Sequence, residues 1–194
     1  MDRSISLDFR SGIIQDRRTS GTIGVLFFVI AIVLGAYVRL PIKGSPVPIT
    51  LQTFFVLLSG AVLGKRLGAV SQVLYMAIGI MGVPVFQGYS FGIFHLCGPT
   101  GGYIVGFAAA SFVVGYIAEK VSLRKYSIIP VFLAGNFIIY SFGALWLMYS
   151  CNINLSQVIR IGVLPFLPGD LVKIVLASII YLKISKRARQ IFTL

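Results

Sequence analysis

Between Arg18 and Arg39 the chain carries no charged side chain. A stretch of roughly 18 or more apolar residues is long enough to cross the hydrocarbon core of a bilayer as one helix. Uncharged runs of similar length recur at residues 100–118 and 128–148. A soluble fold has no use for three such segments in one short chain. Composition agrees: of 194 residues, 57% are hydrophobic and 11% charged, with a mean hydropathy of +0.94. Soluble domains carry about 25% charged residues. The fold class is an all-α integral membrane protein. Six spans of about 20 residues would use about 120 residues, leaving no room for a soluble catalytic domain.

Prolines, glycines and charges punctuate the rest. A first helix is expected at 21–38, ended by Pro41 and the Lys43-Gly-Ser-Pro-Val-Pro48 segment, because proline cannot continue the backbone ladder. A short second helix at 49–63 closes at Lys65-Arg66, and a third covers 67–81. Residues 83–98 are irregular and aromatic. Helices at 100–118 and 128–148 follow. The last third is a broken element, 155–164, then Pro165-Phe-Leu-Pro-Gly169, then a helix at 170–184 starting at Asp170. This divides the chain into an N-terminal cytoplasmic or interfacial segment (1–20), a six-helix bundle (21–184) and a basic cytoplasmic tail (185–194).

The net charge of +12, from 17 basic and 5 acidic residues, would suggest a nucleic-acid partner in a soluble protein. Here no soluble domain exists to present a basic face, so the lipid bilayer is the partner and nucleic acid is not. Six spans with both termini cytoplasmic put Arg3, Arg10, Arg17, Arg18, Lys65, Arg66, Lys120, Arg124, Lys125, Lys183, Lys186, Arg187 and Arg189 inside. That is 13 of the 17 basic residues, as the positive-inside rule requires. Trp146 and Tyr149 fall at the outer interface, where aromatic belts form. Arg39, Lys43 and Arg160 read as side chains snorkelling to outer headgroups.

Asp170 and Lys173 are what remains. They stand three apart, on one side of the last helix. An ionisable pair at membrane depth is costly and points to a functional site; its bland alternatives are a neutral pin between helices and an N-cap at Asp170. Polar residues also interrupt the spans at Thr50, Gln52, Thr53, Ser71, Gln72, Tyr75 and Asn136. Each needs a hydrogen-bond partner in lipid. Gln52, just after Pro46-Val-Pro48, is the one placed to face either a ligand or another helix. Small residues four apart (Ala31/Gly35, Gly60/Gly64, Gly64/Gly68, Gly106/Ala110, Ser111/Gly115) allow close helix packing. Cys97 and Cys151 could join as one bridge or stand as two buried free thiols, the blander reading, and His95 reads as a satisfied loop histidine. Gly98-Pro-Thr-Gly-Gly102 lacks the GK[ST] ending of a phosphate loop, and no Ser/His/Asp set or carboxylate pair is present.

Four motifs stand in order: Pro46-Val-Pro-Ile-Thr-Leu-Gln-Thr-Phe54, Gly79-Ile-Met-Gly-Val-Pro-Val-Phe86, Gly98-Pro-Thr-Gly-Gly-Tyr103 with Gly106-Phe107, and Pro165-Phe-Leu-Pro-Gly-Asp-Leu-Val-Lys173. Together they resemble the BioY family, the biotin-specific S components of energy-coupling-factor (ECF) transporters. The resemblance implies an S-component bundle in a bacterial cytoplasmic membrane, with a biotin pocket near its outer face. It implies partners, a membrane coupling protein and ABC-type ATPases that use the ATP, and no cofactor bound by this chain. It makes Asp170 and Lys173 ligands of the biotin head and puts Gln87 in the pocket. It makes Ala31 and Gly35 a docking stripe for the coupling protein. Biotin has two ureido N–H donors and one carbonyl acceptor, which a carboxylate and an ammonium or amide complement. Phe86, Tyr89, Phe91 and Tyr103 are candidate apolar walls, with residues 84–98 as a lid; the same rings could instead form an interfacial girdle. Two other functions stay open: a solitary, oligomeric biotin transporter, and an intramembrane enzyme, which the poverty of catalytic groups disfavours.

Overall fold

The structure is a computed structural model and describes residues 17–120 and 128–192. The element order is α1 (Arg17–Tyr37), β1 (Arg39–Leu40), β2 (Ile49–Thr50), α2 (Gln52–Ile80), α3 (Ile93–Cys97), α4 (Gly101–Lys120), α5 (Ile128–Cys151), α6 (Leu155–Gly162), a 3₁₀ turn (Leu164–Phe166) and α7 (Leu167–Phe192). Among the described residues, five helical stretches are long and apolar enough to cross a membrane. At about 1.5 Å per residue, a helix of α1's length spans about 30 Å, the thickness of the hydrocarbon core.

α2 is not one straight rod. Gly64 has φ 80° and ψ 176°, a conformation open essentially to glycine alone. There the chain turns back. Gln52 reaches Tyr75, and Ser59 reaches Gln72. A Cβ on Gly68 would come within 2.8 Å of the Gly60 Cα. Partners that ascend on one side descend on the other, so 52–63 and 65–80 run antiparallel. The expected pair of helices is present, but its turn is Gly64, and Lys65 already begins the second half. Glu119 receives the Lys65 backbone N–H at 2.9 Å and pairs with its ammonium at 2.6 Å, which fastens the turn to the end of α4.

α7 shows why the bundle belongs in lipid. Its buried positions include Asp170, Lys173, Ala177, Ser178 and Tyr181, while Leu171, Val172, Val175, Leu176, Ile179 and Ile180 are exposed. The exposed face is the more apolar one. That inverts a water-soluble helix and leaves an apolar surface too long for a soluble monomer. α1 does the same with Ile23, Phe27, Ile30 and Leu34 outward and Ile32 and Ala36 buried.

Several expectations are corrected. Ile49 and Thr50 are a strand paired with Leu40 and Arg39, and α2 begins at Gln52. α7 begins at Leu167, so Pro168 and Gly169 lie in its first turn and Asp170 is not its N-cap. Proline is tolerated there because first-turn N–H groups lack intrahelical partners anyway. α7 continues to Phe192, so the segment expected as a tail from 185 is helical through that residue. Cys97 is free and exposed and Cys151 free and half-buried, not two buried thiols. The N-terminal segment up to residue 16, and Arg124 and Lys125, lie outside the described residues.

Candidate functional site

α2, α4, α5 and α7 line a narrow cavity of about 50 Å³, tighter than the roughly 300–1,000 Å³ of small-molecule sites. Its apolar walls are Val47, Pro48, Ile104, Phe107, Ile139 and Phe166; its polar groups are Thr50, Gln52, Thr53, Gln87, Thr100, Tyr103, Tyr140, Asp170 and Lys173.

Asp170 and Lys173 form an ion pair of 2.7 Å, both almost fully buried. The ammonium also donates to the Thr50 carbonyl at 2.6 Å and to Thr53 Oγ1 at 3.2 Å, which uses all three of its protons. The carboxylate collects four donors. Lys173 and Thr53 Oγ1 (3.2 Å) reach Oδ1; Tyr140 OH and Asn136 Nδ2 (3.3 Å) reach Oδ2. Burial of such a pair is tolerable only with this degree of satisfaction. Asn136 Oδ1, by contrast, has no partner among the described residues.

The second polar wall comes from the α2 hairpin. Gln52 Nε2 donates to Tyr75 OH at 2.8 Å, Gln52 Oε1 accepts from Thr50 Oγ1 at 3.2 Å, and Tyr75 OH donates on to the Val85 carbonyl. Gln52 therefore does both things its position allowed: it bonds another helix and lines the cavity. The third wall is the segment after α2. Phe86 N–H donates to the Ser90 carbonyl across a tight turn through Gly88 (φ 77°) and Tyr89 (φ 60°), which leaves Gln87 on the cavity wall. Tyr103 closes the far side and donates to the Gly162 carbonyl at 2.8 Å.

Of the residues expected at the site, Asp170, Lys173, Gln52, Gln87 and Tyr103 converge on this cavity. Phe86 does not line it. Its ring is fully buried on Gly79, edge-on to Tyr75 and stacked on His95, so it supports the wall from behind. Tyr89 is 65% exposed and packs on Tyr37, and Phe91 is 58% exposed; neither is a wall. Ala31 and Gly35 are not an outward docking stripe. Both are buried, and a Cβ on Gly35 would meet Phe55 and the backbone at Leu51 and Gln52. Gly35 is the seat of α1 on the start of α2. Arg39, Lys43 and Arg160 are exposed, and the Arg39 guanidinium lies over Gly88. Sequence reasoning missed Tyr140 and Thr100 in the cavity and left Thr53 and Asn136 as generic polar interruptions.

The BioY family model matches residues 9–190. The chain is 42% identical to "Biotin transporter BioY" of Thermotoga maritima over 160 residues, 82% of this chain and 92% of that protein. It is 43% identical to "Probable biotin transporter BioY" of Pyrococcus horikoshii over 156 residues, 80% and 90% of the two chains. Its fold is similar to the crystal structure of the S-component for biotin from an ECF-type ABC transporter, with a TM-score of 0.83 at 28% identity, covering 89% of this chain and 94% of the other. With the motifs and the buried pair in the same cavity, these likenesses fix the family: the chain belongs to the BioY family.

Proposed function

We propose that this chain is the biotin-binding S component of an energy-coupling-factor transporter, taking up biotin across the cytoplasmic membrane. It is a transporter subunit rather than an enzyme, and the ATP is hydrolysed by ABC-type ATPases held through a membrane coupling protein. The relatives named as biotin transporters support the substrate. The observation that carries the reading is the buried Asp170–Lys173 pair in the wall of an otherwise largely apolar cavity. In this reading a carboxylate oxygen accepts from a ureido N–H, and the ammonium beside it faces the ureido carbonyl. To do so the ligand exchanges places with one of the four internal donors, since a carboxylate has about four acceptor sites. Gln52, Gln87 and Tyr103 supply further polar contacts, and the apolar walls take the thioether ring and valeryl chain.

In this reading the antiparallel halves of α2 count as two crossings, which with α1, α4, α5 and α7 makes six. An even number puts both termini on one face, and the basic residues make that face cytoplasmic. Biotin retained by the purified chain supports the substrate. Uptake of radiolabelled biotin that appears only when a coupling protein and ATPases are co-expressed supports the partners; undiminished uptake without them overturns that part.

A further inference from the structure

His95 lies outside the cavity, yet it joins two of its walls. One side of its ring is hydrogen-bonded to Ser90 Oγ through Nδ1 at 2.9 Å, the other to Thr100 Oγ1 through Nε2 at 3.3 Å. Ser90 Oγ spends its one proton on the Gln87 carbonyl at 2.8 Å. A hydroxyl has a single donor, so Ser90 can only accept from His95, and Nδ1 must carry the proton. A neutral imidazole then has its lone pair at Nε2, and Thr100 must be the donor there. Phe86 stacks on the same ring at 4.9 Å with an interplanar angle of 13°, which fixes the ring's plane. Burial lowers the imidazole pKa below its ordinary value, in keeping with the neutral form.

The consequence falls on Thr100, which is buried and lines the cavity. A threonine just before a helix ordinarily turns its hydroxyl to the first free N–H groups; this one is bonded to His95. With its proton committed, its oxygen has only lone pairs left for a ligand. We propose that His95 is a positioning residue for the binding cavity: its Nδ1–H tautomer makes Thr100 an obligate acceptor for a ligand N–H and ties the Gln87 segment to the start of α4. This rests on the biotin reading above, in which the ureido ring supplies N–H groups that the four donors around Asp170 do not leave fully served.

The test uses the full chain purified in detergent. It has one histidine, so ¹⁵N-histidine labelling gives a single ring spectrum. The expected spectrum is the neutral Nδ1–H tautomer, with the Nε2 resonance shifting as biotin is added. An Nε2–H tautomer, or a ring blind to biotin, overturns the proposal even if every variant misfolds. Calorimetric titration with biotin supplies the second arm. His95→Phe keeps the stack on Phe86 but loses both ring nitrogens. It should weaken binding about 2- to 10-fold, the scale of one neutral hydrogen bond. Thr100→Val should do the same, and the double variant should be no weaker than the worse single. His95→Gln, which can still donate and accept, should recover part of the loss. Additive losses, or wild-type affinity in folded His95→Phe, overturn the proposal. Biotin that fails to bind the wild-type chain would refute the biotin reading itself, whatever the tautomer.

Discussion

Removing the charge of Lys173 tests whether the buried pair serves the ligand or only the fold. Lys173→Met keeps most of the apolar stem and deletes three hydrogen bonds, to Thr50, Thr53 and Asp170. The Asp170 carboxylate is then buried without a counter-charge. Breaking one side of such a pair costs about 3–5 kcal/mol of stability, so Lys173→Met should lower the thermal midpoint strongly. The double variant Asp170→Asn/Lys173→Met removes the orphaned charge as well. Its amide can still accept from Thr53. Asn136 can turn its amide so that its unpartnered Oδ1 accepts from the new N–H₂, and the Tyr140 hydroxyl can rotate. The double variant should therefore regain most of the lost stability. Biotin binding should behave differently. A hydrogen bond to a charged group is worth about 1.5–3 kcal/mol, or about 10- to 100-fold in affinity. That loss should persist in the double variant, because no charged group is left to recognise the ureido ring. The measurements are thermal unfolding and calorimetric titration on monodisperse protein. Affinity that returns together with stability would refute the reasoning and make the pair a pin between helices.

Three other outcomes follow from different parts of the molecule. Gly64→Ala forces a side chain into a backbone region reserved for glycine and should cost about 1–3 kcal/mol, measured as a lower unfolding midpoint; an unchanged midpoint would mean that α2 does not turn there. In a version lacking Cys97 and Cys151, cysteines placed at Lys43 or Asn152 should react with impermeant reagents in intact cells, while those at Lys65 or Lys120 should be shielded; the reverse pattern contradicts the six-crossing orientation. Burial holds His95 below its ordinary range, so the unfolded chain binds that proton more readily than the folded one. The stability contributed by neutral His95 is complete above about pH 6.5 and is lost as the pH falls through the folded value; His95→Phe should flatten the unfolding midpoint in that window.

The fold was legible where lipid made it so. Long uncharged runs can only be spans, and α1, α4 and α5 lie within a few residues of where the runs put them. Boundaries failed where tertiary structure decided them. Thr50 looked like helix because it sits in an apolar run, but its backbone pairs with Arg39 and its carbonyl takes the Lys173 ammonium. Pro168 looked like a break, but a proline in the first turn of a helix breaks nothing. Gly35, four residues after Ala31, shows the limit of a spacing argument: the separation says that a backbone approaches closely, not whose backbone it is. Here it is the chain's own, at the start of α2.

The site divides along the same line. Asp170 and Lys173 were legible because a charge within a span is rare enough to need a reason. Aromatics were not, because every span contains them and a ring's contacts depend on its turn and its neighbours. Phe86 and Tyr89 are three residues apart; one is sealed behind the wall on Gly79 and the other lies outside on Tyr37. Tyr140, Thr53 and Asn136 belong to two other helices that bond Asp170 directly, at sequence separations of 30, 117 and 34. No local pattern connects them. What connects them is electrostatic necessity: a carboxylate buried with one ammonium still has acceptor sites to fill. The number of donors can be expected from Asp170 alone, but their names require the fold.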